Sequence, residues 1–335
     1  MITDYKKYLT TPIRKDRKPL HELLPLDKPL RVMIDPCDTC NFRCSFCFQS
    51  QYDFGKGSQM SIETFDRIME QLTEFDGPIN IIHLYGLGEP MINKNLPCFI
   101  KTIKERQIAK EVAVTSNGSL LSQDFSDKLI EAGLDRLSIS LNGLSDEDFK
   151  RVVGVKVSFQ KIYDEIRYFY QHRKQCHLHV KINGECFAEE QHARFVELFK
   201  DCTDSINIDH VVNNWSGLKI VEDTGNAGSM YGIAKEIKSD ICIDMLYEFL
   251  IHPNGTVSPC CVDYKYQEQN LGNIFESTLK KIWDGKRLRM LQIENLNGCI
   301  TSYNICKTCS PGSYATVDIS EYREELLSKY TKLTD

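Results

Sequence analysis

The chain has 335 residues, which is enough for one large domain or two ordinary ones. Hydrophobic residues make up 41% of it and charged residues 26%, as is typical of a globular protein. The formal net charge of -6 excludes a nucleic-acid partner bound through a generally basic surface.

The N-terminal segment, residues 1–30, is basic and rich in proline, and it lacks the apolar core of a signal peptide. No apolar run in the chain reaches the roughly 18 residues that would span a bilayer. We therefore expect a cytoplasmic protein without a membrane partner. Because disulfides rarely persist in that compartment, clusters among the 14 cysteines indicate metal binding or catalysis.

A short apolar segment predicts a strand that begins near residue 31, and a loop with four cysteines follows it. Cys40, Cys44 and Cys47 have the spacing C-x3-C-x2-C. With Cys37 they could form a four-cysteine zinc site, although the spacing differs from that of common zinc knuckles. A disulfide pair is less favoured still. The interpretation that we favour is an iron–sulfur cluster held by thiolates.

At this loop the sequence resembles the radical SAM enzymes. Their signature is a C-x3-C-x2-C loop after the first strand, with an aromatic residue before the third cysteine; Phe46 is that residue here. The resemblance implies a [4Fe–4S] cluster held by Cys40, Cys44 and Cys47, with S-adenosylmethionine (SAM) on the fourth iron. Cys37 would then be a bystander or a local structural thiol.

The second strand, predicted over residues 79–84, ends in a turn with the sequence YGLGEP. By itself this pattern is compatible with an ordinary strand-to-helix turn, in which glycine lets the backbone approach a neighbour closely. In the radical SAM family this strand ends in Gly-Gly-Glu-Pro, which holds the SAM amino group. Leu87 replaces the first glycine here, whereas Gly88, Glu89 and Pro90 match the motif.

Two further strand candidates, which begin near residues 111 and 136, end in small polar residues. Hydrogen bonding at a strand end would by itself explain each of them. The resemblance implies instead that they line the SAM pocket. The implied contacts are Ser116 and Asn117 near the methionyl or ribose end, Ser140 and Asn142 beside the ribose, and Arg151 near the carboxylate.

Strand and helix candidates alternate through the first 210 residues. The strands begin near 31, 79, 111, 136, 177 and 206, and the helices cover 60–75, 95–106, 122–132, 160–174 and 189–200. Six alternating units predict an α/β fold with parallel strands and with ligand sites at their C-terminal ends. This order matches the partial, TIM-like (β/α)6 barrel of the radical SAM core.

The sequence changes character at about residue 236. An apolar strand, an Asn254-Gly255 turn and a second strand predict a β-hairpin, and an amphipathic helix follows it. A terminal helix candidate over 319–332 is expected to pack its apolar stripe on the barrel. The tail therefore predicts a small hairpin-and-helix domain.

Six cysteines lie in this tail, and four of them could bind zinc as a knuckle: Cys242, Cys260, Cys306 and Cys309. The spacing Cys-x17-Cys, a glycine five positions before the second cysteine and a final Cys-x2-Cys resemble the C-terminal extension called SPASM, or its shortened form, twitch. Full SPASM domains hold two auxiliary [4Fe–4S] clusters with seven or eight cysteines. The resemblance therefore implies a single auxiliary cluster on these four cysteines. Cys261 and Cys299 are left over, although Cys299 could instead join the set.

The resemblance divides the chain into an N-terminal extension (1–30), a radical SAM core (31–235), an auxiliary-cluster domain (236–316) and a C-terminal helix (317–335). It implies two [4Fe–4S] clusters, SAM and an electron donor such as flavodoxin or ferredoxin. Reductive cleavage of SAM would give a 5′-deoxyadenosyl radical, which removes a hydrogen atom from a substrate carbon.

An auxiliary cluster could accept a second electron, so that a carbinol becomes a ketone. Because the segment before the first strand is too short for a peptide-binding domain, we expect a small polar substrate such as a sugar, an aminocyclitol or a nucleotide-linked sugar. Peptide modification stays open, as does epimerisation if Cys261, Cys299 or another thiol returns a hydrogen atom. A non-catalytic zinc scaffold is the alternative from another class. The sequence selects no catalytic base.

Overall fold

The computed structural model describes residues 4–10, 18–51, 57–211, 239–263, 269–299, 302–307, 309 and 317–333. Within these residues one sheet of nine strands has the spatial order β6-β5-β4-β3-β2-β1-β7-β8-β9. The strands are β1 (Arg31–Ile34), β2 (Ile79–Leu84), β3 (Ala109–Ser116), β4 (Arg136–Ser140), β5 (His177–Asn183), β6 (Ser205–Asp209), β7 (Glu248–Ile251), β8 (Thr256–Ser258) and β9 (Gly272–Asn273). Strands β1 to β7 pair in parallel, and β8 and β9 are antiparallel.

Helices follow most of the parallel strands. They are α1 (Leu20–Leu23), α2 (Ile62–Leu72), α3 (Leu96–Glu105), α4 (Gln123–Glu131), α5 (Asp146–Val153), α6 (Phe159–His172), α7 (Glu189–Phe199), α8 (Asp244–Tyr247), α9 (Leu279–Trp283), α10 (Lys286–Leu296), α11 (Asn304–Lys307) and α12 (Arg323–Thr331). Serine hydroxyls cap the first turns of α2, α4, α5 and α6, which fixes where these helices begin. None of the described helices is long and apolar enough to cross a membrane.

The two faces of the parallel strands differ in polarity. On β5, Leu178, Val180 and Ile182 are buried in the main hydrophobic core, whereas the residues between them, such as His179 and Lys181, are partly exposed. A parallel strand covered by helices on both faces would be apolar throughout. The helices therefore cover one face, and the other is lined with polar side chains.

The polar face curves around a common interior. Besides burial, the charges of Arg31 on β1, Arg136 on β4 and Lys181 on β5 lower the pKa of His83 on β2, to about 3. Side chains from four strands thus surround one space, which we call the lumen. The sheet is not closed in the described residues, and the predicted partial (β/α)6 barrel with its hairpin-and-helix tail is confirmed.

The predicted hairpin is formed by β7 and β8, and β7 also pairs in parallel with β1, so that the hairpin extends the sheet of the barrel. The prediction that the terminal helix packs on the barrel is wrong. Leu326 and Tyr330 of α12 instead join a second core with Leu296 of α10 and Ile241. The predicted domain boundary at 235/236 lies outside the described residues.

The strand register places the two cysteine-rich segments at opposite ends of β1. The cysteine loop follows its C-terminal end, whereas Arg31, at its N-terminal end, lies beside Glu248 of β7. Strand β8 runs antiparallel to β7, so that Cys260, two residues beyond Ser258, returns to the level of Glu248. Four residues of strand separate the two ends, a rise of roughly 13 Å at about 3.3 Å per residue.

Candidate functional site

The loop after β1 brings three thiols close together. Burial raises the pKa of Cys44, and the neighbouring thiols of Cys47 and Cys40 raise it further. The amide of Cys47 donates a hydrogen bond to the Cys44 carbonyl at 3.0 Å, which closes a tight turn between them. The structure therefore groups the three cysteines that the C-x3-C-x2-C spacing predicts as cluster ligands.

The fourth cysteine of this loop has a different environment. Cys37 is fully buried, and its thiol donates a hydrogen bond to the Thr39 carbonyl at 3.6 Å. Burial raises its pKa to about 12, and the charged groups that add to this effect are the carboxylates of Asp35, Asp38 and Glu89 rather than the other thiols. This position supports a structural role for Cys37.

The turn after β2 packs directly on the cysteine loop. The amide of Glu89 donates to the Thr39 carbonyl at 2.9 Å. A Cβ atom on Gly88 would lie 2.2 Å from the Cys37 carbonyl oxygen and 2.3 Å from that of Thr39. Only glycine fits so close to another backbone segment, so Gly88 determines how the turn seats against the loop.

The Glu89 carboxylate is buried and connects the ends of β2 and β3. It accepts hydrogen bonds from the Ser116 hydroxyl at 2.7 Å, the Asn117 amide at 2.7 Å and the Met91 amide at 3.0 Å. Burial raises its pKa, and these three donors oppose that effect. A carboxylate has about four acceptor positions, so these three donors leave one of them.

Two asparagines at strand ends point to the cysteine sulfurs. The Asn117 side-chain amide lies 3.8 Å from the Cys40 sulfur, and that of Asn142 lies 3.6 Å from the Cys44 sulfur. Such donors stabilise negative charge on ligand sulfurs and tune the potential of an iron–sulfur cluster. The structure thus brings these two predicted residues into the site.

The other predicted SAM residues have varied surroundings. Pro90 is buried at the start of a 3-10 turn, and Phe46 packs against the main core. Ser140 ends β4 with a partly exposed side chain. Arg151 lies on α5, where its mostly exposed guanidinium donates to Asp148 and to the Cys186 carbonyl. In this structure Arg151 is engaged by protein groups.

At the N-terminal end of β1, opposite the cysteine loop, three segments of the tail converge. Burial raises the pKa of Cys242, and the nearby Asp244 and Cys309 raise it further. The thiols of Cys261, Cys242 and Cys309 also raise the pKa of Cys260. The structure therefore brings three of the four predicted auxiliary ligands together.

The remaining cysteines of the tail fall in different places. Cys306, the fourth predicted ligand, lies on α11 and accepts a hydrogen bond from the Gln269 amide at 3.4 Å. Cys299 is exposed and directs its thiol to the Asn297 carbonyl at 3.8 Å. Cys261 hydrogen-bonds with the Cys260 thiol and the Tyr85 hydroxyl, and both lower its pKa. Cys261 thus connects the auxiliary cysteines to the Tyr85 side chain, whose ring lies beside His83 in the lumen.

The donors at both ends have the chemistry that an iron–sulfur cluster requires. Each end supplies cysteine sulfurs, which are soft ligands for such clusters. Amide donors reach the sulfurs of Cys40, Cys44 and Cys306. Among the described residues, no group of three Cys, His, Asp or Glu side chains could hold a single metal ion. The match to an iron–sulfur cluster therefore rests on the cysteine sulfurs and on the amides that donate to them.

The sequence analysis missed the side chains of the lumen. They include His83, whose Nε2 lies 3.0 Å from the Thr115 hydroxyl, and Lys181, which pairs with Asp209 at 2.6 Å. The alternation in the β5 sequence HLHVKIN is a pattern that could have revealed them. A strand of a parallel sheet with a polar residue at every second position has one face that no helix covers, and this face meets solvent or a polar interior.

Comparison with known families assigns both parts of the chain. The model of the radical SAM superfamily matches residues 34–196. The model of SPASM, an iron–sulfur cluster-binding domain, matches residues 242–310. The two matches cover the cysteine loop and the auxiliary cysteines, respectively.

Two curated relatives are named as cyclases. A probable GTP 3′,8-cyclase of Methanococcus maripaludis (strain C5) is 34% identical over 125 residues, which are 37% of this chain and 40% of that protein. A GTP 3′,8-cyclase of Aquifex aeolicus is 26% identical over 294 residues, 83% of this chain and 84% of that protein. The chain thus matches less than half of the length of the first relative and most of the second.

Two solved structures share the fold. BtrN in complex with AdoMet and 2-DOIA has a TM-score of 0.55 and 20% identity, over 84% of this chain and 92% of BtrN. Streptococcus suis SuiB bound to the precursor peptide SuiA has a TM-score of 0.59 and 17% identity, over 94% of this chain and 84% of SuiB.

Proposed function

Because the chain belongs to the radical SAM superfamily and carries a SPASM domain, we propose that it oxidises a hydroxyl group of a small polar substrate. Its cofactors are SAM and two [4Fe–4S] clusters, one in each domain. When bound, they supply a 5′-deoxyadenosyl radical for hydrogen abstraction and an acceptor for one further electron. Flavodoxin or ferredoxin is the kind of electron donor that we propose.

In this proposal the core cluster is held by Cys40, Cys44 and Cys47. The SAM pocket is formed by the residues that the turn and the strand ends bring to this loop: Phe46, Gly88, Glu89, Pro90, Ser116, Asn117, Ser140, Asn142 and Arg151. The auxiliary cluster is held by Cys242, Cys260, Cys306 and Cys309. The grouped thiols and the bonds of Glu89 support these assignments.

The observation that carries the proposal is the position of the lumen. It lies between the two cysteine sites, which the register of β1, β7 and β8 puts at opposite ends of the strands. Its lining is polar and includes His83, Lys181 and Asp209. A substrate there would have hydrogen abstraction on one side and an electron acceptor on the other, as a two-electron oxidation requires.

The residues of the chain would bind and orient such a substrate. Polar side chains that point into a shared interior can hydrogen-bond several hydroxyl groups of a sugar or an aminocyclitol. Helices cover the outer face of the sheet and exclude water from that face. The orientation of the substrate in the lumen governs which of its C–H bonds meets the radical. BtrN, which shares the fold, was solved in complex with the small molecule 2-DOIA, and this supports a small substrate here.

A second candidate is a nucleotide substrate. The relative from Aquifex aeolicus, named for an activity on GTP, aligns with 83% of this chain. A nucleotide also contains a sugar with reactive C–H bonds, so the same lumen would serve. Adding GTP to the assay below separates the two candidates, since cyclisation would consume GTP without the loss of two hydrogens.

The test is anaerobic reconstitution with iron and sulfide, followed by SAM, a reductant and a panel of myo-inositol, glucosamine, UDP-glucose and GTP. We expect about eight irons per chain and 5′-deoxyadenosine that rises with one panel member. The product should be two mass units lighter than that compound. A product of unchanged mass with an inverted centre would indicate epimerisation instead, and a requirement for a peptide would contradict the proposal.

A further inference from the structure

Three lumen side chains of β5 and β6 form a continuous hydrogen-bonded chain. His179 Nδ1 lies 2.8 Å from the Ser205 hydroxyl oxygen, and His177 Nε2 lies 2.8 Å from the same oxygen. Strand register fixes the arrangement, since His179 and Ser205 are paired neighbours and His177 lies two residues earlier on the same face. All three side chains are partly exposed.

The Ser205 hydroxyl, in the middle, gives the two hydrogen bonds one common direction of donation. A serine hydroxyl has one hydrogen, so it donates to one imidazole and accepts from the other. When His179 donates from Nδ1, Ser205 donates to Nε2 of His177. His179 Nε2 is then an unprotonated nitrogen and therefore a base. A proton taken up there can be passed on by exchange along the two hydrogen bonds.

His179 lies at the depth where a substrate would meet it. It is paired with Ser138 of β4, two residues before the pair of Ser140 and Lys181. Ser140 is a proposed contact of the SAM ribose. Two residues of strand correspond to roughly 7 Å, which leaves room for one substrate layer between SAM and the imidazole.

Burial and the charges around His179 keep it neutral. Burial, and then the nearby Lys181, lower its pKa to about 4; Arg136 and His177 add to this effect, and Asp209 opposes it. The imidazole is therefore unprotonated at neutral pH, so one ring nitrogen is available to a substrate proton, and the low pKa favours passing that proton on.

The pKa of His177 is also lowered, first by burial. Arg136 and Arg173 lower it further, while Asp204 and Glu111 oppose them. Both shifts favour the neutral imidazole, which carries one proton and has one free nitrogen, as a group that passes a proton on requires.

The acidic groups of the lumen are less suited to be the base. Asp209 accepts hydrogen bonds from Lys181 and Asn207, and Glu111 lies 3.5 Å from Arg136. Glu248 is ion-paired with Arg31, although burial raises its pKa to about 8. Each of the three carboxylates is thus engaged by a cation, which occupies oxygen lone pairs that a substrate hydroxyl would need.

We propose that His179 is the catalytic base and that Ser205 and His177 carry the proton away, toward the N-terminal ends of the strands. The proposal rests on the proposed oxidation. The substrate C–H hydrogen leaves as an atom to the 5′-deoxyadenosyl radical, and one further electron passes to the auxiliary cluster. The O–H bond breaks, its proton goes to His179 Nε2, and a C=O bond forms.

The experiment uses reconstituted holoenzyme and the panel compound that the wild type oxidises, deuterated at the carbinol carbon. Deuterium in 5′-deoxyadenosine reports hydrogen abstraction, and the oxidised product reports the later step. In His179→Gln we expect deuterium transfer within about threefold of wild type and product formation lower by about a hundredfold.

Variants of Ser205 test the rest of the chain. Ser205→Ala keeps His179 but removes the hydroxyl that links it to His177, and it should slow product formation about tenfold. Ser205→Thr keeps a hydroxyl and should form product at about the wild-type rate. Ser328→Ala is the control, because it removes an exposed hydroxyl on α12, outside the lumen. It should behave as wild type.

The outcomes separate the two proposals. A wild type that forms no oxidised product overturns the oxidation and the relay together. Variants that oxidise at the wild-type rate, or that lose deuterium transfer and product equally, overturn the relay alone. Nitrogen-15 NMR of histidine-labelled, SAM-free holoenzyme gives a check without turnover. His179 should be neutral at pH 7 with its proton on Nδ1, and a proton on Nε2 would contradict its role as the base.

Discussion

The two cysteine sites at the ends of the lumen are built in different ways. The core thiols lie within one loop of eight residues, Cys40 to Cys47, and the turn at Gly88 and Glu89 supports that loop from outside. The auxiliary thiols come from separate segments, at Cys242, Cys260 and Cys309. The first site is organised by the protein itself, whereas a cluster in the second would cross-link distant parts of the chain.

Because of this difference, we expect removal of each cluster to affect SAM cleavage differently. Replacing Cys40, Cys44 and Cys47 together with Ala should abolish formation of 5′-deoxyadenosine and lower the iron content from about eight to about four per chain. Replacing Cys242 and Cys260 with Ala should lower iron equally but leave SAM cleavage measurable. Iron analysis and product assays check both, with Cys98→Ala, an exposed thiol on α3, as control.

Thermal unfolding sharpens the same comparison. The Cys242/Cys260 variant should unfold several degrees below wild type, because it loses a cross-link that closes long loops. The core triple variant should lose less, since the bonds of Glu89 do not involve the thiols. Equal shifts in the two variants would contradict this description of the sites.

The close contact at Gly88 predicts the largest effect of a single small substitution. Gly88→Ala should destabilise the protein by about 3 kcal/mol or more, since the new Cβ would meet two backbone carbonyls. Gly133→Ala is the control. It has a positive φ of 84°, but its Cβ would meet only the Lys104 side chain at 3.5 Å, so it should cost about 1 kcal/mol. Denaturant titration measures both, and similar losses would show that the close contact relaxes.

The lumen between the two sites should make the fold sensitive to acid. The folded-state pKa of His83 is about 3, and an unfolded histidine titrates near 6.5. Between these values the unfolded chain binds more protons, so stability falls as pH falls, by at most about 1.4 kcal/mol per pH unit for one such group. His83→Gln should reduce this slope between pH 6.5 and 5.5 in denaturant titrations. The exposed His172→Gln on α6 should not.

The smallest effect on stability is expected at Arg151. Its guanidinium is mostly exposed, and the buried Asp148 carboxylate keeps hydrogen bonds from the Leu144 amide and Gln191. Arg151→Gln should therefore change stability by less than about 1 kcal/mol. If Arg151 contacts the SAM carboxylate, the dissociation constant of SAM measured by calorimetry should rise severalfold. Lys150→Gln, the neighbouring exposed cation, serves as the control. An unchanged SAM affinity would remove Arg151 from the binding set.

The sequence by itself determined the features that depend on neighbouring residues. The spacing of Cys40, Cys44 and Cys47 indicated a shared ligand, and alternating strand and helix patterns predicted the parallel core. Gly88 was singled out by its motif, and the structure adds the reason, which is contact with the backbone at Cys37 and Thr39. Such local patterns are preserved in a sequence because they act within one loop or one strand.

Only the tertiary structure decided how distant segments meet. Pairing of β7 with β1, which no local pattern indicates, places Cys260 at the far end of the lumen from the cysteine loop. The hydrogen-bonded chain of His177, Ser205 and His179 likewise depends on the register between β5 and β6. Register between strands is fixed by packing and by the hydrogen-bond ladder of the whole sheet, so residues 26 to 28 positions apart became partners that the sequence could not identify.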